Sequence, residues 1–141
     1  MRRLAVTALT SVIGAGLLFA SPDTAMAQRT APPGGTYKKV STLVALPDFV
    51  PGLGTLYVDP ATLPAGPFLA YDHQGALVSS IYMIPLKDMN AQKSFSDLKV
   101  ARERVDHVDI VFNAGHPGVA EPHYHMIVWY VPPEHAAKLS K

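Results

Sequence analysis

Residues 105–131 read VDHVDIVFNAGHPGVAEPHYHMIVWYV, and the fold turns on how this stretch divides. From Val105 to Asn113 the residues alternate. Val105, His107, Asp109, Val111 and Asn113 point one way, and Asp106, Val108, Ile110 and Phe112 the other. A period of two is the signature of a β-strand. Ala114 to Pro122 contains Gly115, Pro117 and Gly118 and reads as a loop. His123 to Val131 is a second strand, with His123, His125, Ile127, Trp129 and Val131 on one face and Tyr124, Met126, Val128 and Tyr130 on the other. Pro132-Pro133 stops it, and Pro133 suits the first turn of a short terminal helix.

The upstream chain has the same grammar. Phe68–Tyr71 is apolar, Asp72-His73-Gln74-Gly75 is a four-residue turn in which Gly75 is free to take a positive φ, and Ala76–Ile84 is the returning strand, stopped by Pro85. Leu56–Val58 is a short strand candidate, and Tyr37–Leu46 another that Pro47 ends. Asp88 to Arg104 is the one long helical stretch: Asp88 can cap it, and Phe95, Leu98 and Ala101, spaced at three, mark an apolar face. The order is strands, one helix, strands, with no βαβ alternation and no internal repeat. Hairpin-type links predict an α+β fold, an antiparallel β-sheet with one packed helix, and a small β-barrel or sandwich is the alternative.

Composition bounds the function. The 141 residues suffice for one domain, and 48% apolar against 16% charged residues fit a packed core rather than disorder. Cysteine is absent, which excludes disulfides, thiolate metal sites and cysteine nucleophiles together. The formal charge of +1 offers no basic footprint, so no nucleic-acid partner is expected.

Residues 1–27 read as a cleaved signal peptide. Arg2 and Arg3 open it, Leu4–Ala20 is an apolar run, and Ala25-Met26-Ala27 is a small-x-small cleavage pattern. Residues 28–36 (QRTAPPGGT) read as a flexible lead-in and residues 37–141 as a single globular domain. Cleavage removes Arg2, Arg3 and Asp23, which turns 12 basic and 11 acidic residues into ten of each. The expectation is a neutral periplasmic or secreted protein with no stable membrane association.

The chemistry concentrates between His107 and His125, which holds four of the six histidines. His73 and His135 fall in a turn and a terminal helix and read as exposed bystanders. His123 and His125, two apart on one strand face, can share a divalent metal, and imidazole suits zinc, copper, iron and nickel without distinguishing them. The loop supplies His116 and Glu121 as further ligands, and Asn113 can join or support them. A simple hairpin with Asn113 opposite His123 places Val111 opposite His125, Asp109 opposite Ile127 and His107 opposite Trp129. His107 is then ~13 Å along the strands from the His125 rung, too far to share a metal, and Asp109 ~7 Å. His107 becomes a ligand only if the strands are shifted or separated, and then Asp109 is a candidate too. No G-x-S-x-G elbow, phosphate-binding glycine loop or H-E-x-x-H motif is present.

Two resemblances follow from these residues. The series Val105–Asn113, Gly115-His116-Pro117-Gly118-Val119 and Pro122-His123-Tyr124, with GPFLAYDHQGALVSSIYMIP upstream, resembles a poorly characterised family of secreted bacterial proteins with no assigned reaction. The resemblance spans about Tyr37–Pro133 and implies shared positions at His107, His116 and His123. That family places its next histidine where this chain has Ile127, so His125 departs from the pattern. Pro122-His123-Tyr124-His125 also resembles the H-x-H strand of cupins, but Met126–Val131 supplies no following glutamate. The sequence thus supports an exported metal-binding domain. The alternatives are a cupin-like small-molecule metalloenzyme and a metal-free assembly or interaction protein that forms a homo-oligomer.

Overall fold

The structure, a computed structural model, describes residues 28–141. The expected signal peptide lies outside the described residues. Six strands form one antiparallel sheet: β1 (Lys38–Lys39), β2 (Thr55–Val58), β3 (Phe68–Tyr71), β4 (Leu77–Pro85), β5 (His107–Asn113) and β6 (His123–Trp129). Their spatial order is β1-β2-β3-β4-β6-β5. The sheet stays open, with β1 and β5 at its edges, so neither the barrel nor the sandwich alternative forms.

The order follows from the turns and the hydrophobic pattern. Asp72 closes the β3–β4 turn by accepting at Oδ1 from the backbone N–H groups of Gln74 and Ala76, and Gly75 sits at φ 78°. The returning β4 is buried from Leu77 to Met83, as expected of a strand flanked on both sides. The chain from β4 to β5 then crosses to the far side of β6, so that β6 rather than β5 pairs with β4. Above one sheet face, Leu56, Val58, Phe68, Ile81, Met83, Ile127 and Trp129 build the main core with Val40 and Leu139. Residues 43–53 fold over this face, with Val44, Leu46, Phe49, Val50 and Leu53 packed on it. A second cluster, Leu69, Tyr71, Leu77 and Ala101, also takes in Tyr37, Tyr57 and Tyr130.

Three expectations need correction. The long helix over Asp88–Arg104 is replaced by one short helix, α1 (Leu86–Asn90), and irregular chain. Gln92 and Asp97 have φ of 56° and 57°, outside the right-handed helical region. Phe95 is exposed rather than packed on the sheet, and only Ala101 of the supposed apolar face is buried. Tyrosines hold the segment instead: Tyr82 Oη donates to the Lys99 carbonyl, and Tyr130 Oη accepts from the Ala101 N–H at 2.9 Å. Second, the strand expected over Tyr37–Leu46 shortens to β1, because Val40, Leu43 and Val44 recur at three and four and turn as a 3₁₀ segment (Val40–Thr42). Third, the lead-in is tied down. Ala31 N–H donates to the Gly75 carbonyl, the Arg29 carbonyl accepts from Leu77, and Tyr71 Oη donates to the Gln28 carbonyl. A second short helix, α2 (Pro133–Ala136), follows β6.

Tyr130 also bonds Ser80 Oγ at 2.7 Å, so its hydroxyl joins β4, β6 and the 91–106 segment. Replacing it leaves partly buried polar groups unpaired, which costs about 1–3 kcal/mol. Tyr130→Phe is expected to lower unfolding free energy by that amount and to speed amide exchange at Ala101. Unchanged exchange there would show that the phenol does not hold the segment.

Candidate metal centre

β6 carries the site because it is paired along both edges. Against β4 its register is Met83↔His125 and Pro85↔His123, and against β5 it is Val111↔His125 and Asn113↔His123. Period-two geometry then turns His123 and His125 to the face that residues 43–53 cover. His123 is fully buried and His125 is 9% exposed.

The third imidazole arrives from the β5–β6 loop. His116 and Val119 exchange backbone hydrogen bonds, both 2.9 Å, around Pro117-Gly118. Asn113 Oδ1 accepts from the Gly115 N–H at 2.8 Å and holds the loop's entry. Gly115 has φ 128°, and a Cβ there would sit 2.5 Å from the Ala120 carbonyl oxygen, so only glycine fits the turn.

The donor atoms of His116, His123 and His125 lie within 4.8 Å of one another. Ring centroids are 4.9 Å apart for His116–His123, 5.6 Å for His116–His125 and 4.8 Å for His123–His125. Two tautomers are set by the backbone. His123 Nδ1 is 2.7 Å from the Glu121 carbonyl and His116 Nδ1 is 2.9 Å from the Pro117 carbonyl. A carbonyl only accepts, so each Nδ1 carries the proton and each Nε2 presents a lone pair. This is how metal-binding histidines are oriented. His125 Nε2 lies 3.0 Å from His123 Nε2 and donates to it. Metal–nitrogen bonds of about 2.1 Å place tetrahedral donors about 3.4 Å apart, so small ring shifts and a tautomer change that moves the His125 proton from Nε2 to Nδ1 complete the site. The three histidines can hold a metal ion.

No protein-family model matches the chain, and no curated protein matches it. Among solved structures it is similar to the crystal structure of hypothetical protein TTHB210 from Thermus thermophilus. The two share 48% sequence identity over 68% of this chain and 89% of that one, with a TM-score of 0.59. This chain belongs to the TTHB210 family.

In this TTHB210 family member, two of the five candidate ligands stand outside the triad. His107 pairs with Trp129, as the simple register requires, and its ring stacks there at 5.9 Å. Its Nδ1 bonds Asp106 at 2.9 Å, while Asp109 accepts from Trp129 Nε1 at 2.8 Å. Glu121 contributes its backbone carbonyl to His123, but its carboxylate pairs with Lys87 at 2.6 Å on the surface. His73 and His135 are also engaged. His73 stacks on Phe49 at 3.7 Å, and His135 Nε2 lies 3.2 Å from Asp72 Oδ2.

The triad also borders a cavity of about 250 Å³. His116, His125 and Asn113 line it, and Leu46, Val50, Leu53, Phe68 and Ile81 are among the apolar residues of its wall. Sequence reading misses this cavity, because its cover, residues 43–53, has no regular period to betray a buried face.

Burial, followed by the neighbouring His123 and His116 imidazoles, pushes His125 from the ordinary 6.5 down to about 4. In metal-free protein the unfolded chain therefore takes up a proton at His125 that the fold refuses until about pH 4. Stability from this group is complete above pH 6.5 and declines as pH falls towards 4. Chelator-treated protein should show a falling Tm across that window, and His125→Gln should flatten the slope. An identical slope in the variant would remove His125 as its cause.

Proposed function

We propose that the protein is an exported domain that binds one divalent transition metal ion, zinc, copper, iron or nickel, through His116, His123 and His125. The observation that carries this reading is the meeting of three imidazoles, two of them turned by backbone carbonyls so that Nε2 faces the others. Export is supported by the basic, apolar and small-residue order of residues 1–27. No described helix is long and apolar enough to cross a membrane.

Three neutral nitrogen ligands leave a fourth position for water or another oxygen donor. Such a metal ion can lower the pKa of bound water or polarise a carbonyl. Among the described residues, no aspartate, glutamate or lysine lines the neighbouring cavity to act as a proton-transfer partner. Ligand binding, rather than a hydrolytic cycle, is therefore the preferred reading.

Metal binds the folded chain and stabilises it, by about 2.7 kcal/mol at a hundredfold excess over Kd. Elemental analysis of untagged mature protein should find about one metal ion per chain, and zinc, copper or nickel should raise the Tm of chelated protein. His123→Ala should abolish both effects, whereas His107→Ala and Glu121→Gln should retain them. Protein that is free of metal and gains no thermal stability from any of the three ions would falsify the assignment.

A second reading, self-association, draws on the free edge of the sheet. Val108, Ile110 and Phe112 share one face of β5 and are 51%, 66% and 52% exposed. This face of the edge strand carries no charge to block pairing with another chain, the one acidic residue of β5, Asp109, lying on the opposite face. Sedimentation should show a concentration-dependent shift that Ile110→Lys removes, and a monomer at all concentrations would dispose of this reading.

A further inference from the structure

We propose that the cavity beside the triad binds an apolar monocarboxylic acid, its chain within the cavity and its carboxylate on the metal ion. This rests on the metal-binding reading above. Size, wall chemistry and charge point to the same ligand class.

A cavity of roughly 150 Å³ in a protein core accommodates benzene, so by simple scaling one of this size takes about ten non-hydrogen atoms. The observed cavity is about 250 Å³ and is walled almost entirely by aliphatic and aromatic side chains from residues 40–68, Ile81 and Met83. Water gains little on such a wall, whereas a hydrocarbon chain is favoured there. The polar side chains of the wall are Asn113, His116 and His125, from β5, β6 and the loop between them. The Asn113 oxygen already accepts from the Gly115 N–H, and its amide N–H groups are donors available to a ligand. The lining therefore suits a molecule that is apolar along its length and has one acceptor-rich end.

Charge selects a carboxylate for that end. The triad supplies neutral imidazoles only, and no described residue of the cavity wall carries a formal charge. A bound divalent ion would keep its full double charge beside two buried imidazoles and an apolar wall, where an anionic partner is favoured. Glu121 does not provide it, since its carboxylate pairs with Lys87. An anionic oxygen donor on the ligand provides it while filling the open coordination position. A medium-chain fatty acid such as octanoate, or an aryl-alkanoate of similar size, has this chemistry.

Calorimetric titration of octanoate into zinc-loaded protein tests the proposal, with zinc content measured on the same sample. Octanoate should bind at one per chain. Octan-1-ol, which lacks the carboxylate, and octanoate added to chelated protein should each bind at least tenfold more weakly. Hexanoate, two methylenes shorter, should bind about fifteenfold more weakly, since each buried methylene accounts for about a fourfold change. Val50→Phe and Leu53→Phe, which narrow the cavity without changing a histidine, should keep one zinc per chain and lose octanoate affinity. Zinc uptake without octanoate binding would overturn this proposal and leave metal binding standing. Octanoate affinity that ignores zinc, or survives in both cavity variants with zinc retained, would also overturn it. Failure to take up zinc would remove both.

Discussion

Strand β6 is hydrogen-bonded along both edges, and this double pairing governs the rest of the molecule. Seven residue pairs join it to β4 and seven to β5, without a bulge in either ladder. A strand held in this way cannot slip by one residue, because a slip would exchange its two faces. Ile127 and Trp129 would leave the core and the two histidines would leave the covered face. The packing that retains Trp129 therefore also retains His123 and His125. The site inherits its rigidity from the core.

The loop between β5 and β6 converts that rigid pair into a triad. Gly115 permits a backbone path closed to other residues, and Gly118 lies so close to Val44 that an added Cβ would sit 2.9 Å from its side chain. The loop is thus seated on the same segment, residues 43–53, that roofs the cavity. The loop that carries His116 and the cover of the cavity are thus in direct contact. Cavity and triad share His116 and His125, so a ligand in one meets whatever occupies the other. Neutral donors, an uncharged wall and an open position together favour an anionic, otherwise apolar guest.

Much of this is legible in the sequence where periodicity is strong. The β3–β4 turn follows from Asp72 and Gly75, and the β5–β6 register follows from pairing Asn113 with His123. That register also explains why His107 stands apart from His125 despite its proximity in sequence. The segment 91–106 misleads because three-residue spacing of Phe95, Leu98 and Ala101 imitates a helix, while its backbone is held by Tyr82 and Tyr130, 17 and 29 residues away from their partners. Such long-range bonds leave no local pattern. Glu121 reads as a ligand by residue type, but Lys87, 34 positions earlier, takes its carboxylate. What Glu121 lends the site is a backbone carbonyl, which any residue possesses.

The central claim is that three imidazoles on β6 and its preceding loop hold one metal ion. Anomalous diffraction from crystals of zinc-loaded protein tests it most directly. The account predicts one strong peak about 2.1 Å from a ring nitrogen of each of His116, His123 and His125. A peak on His107 and Asp106, or none within bonding reach of His123, would contradict it.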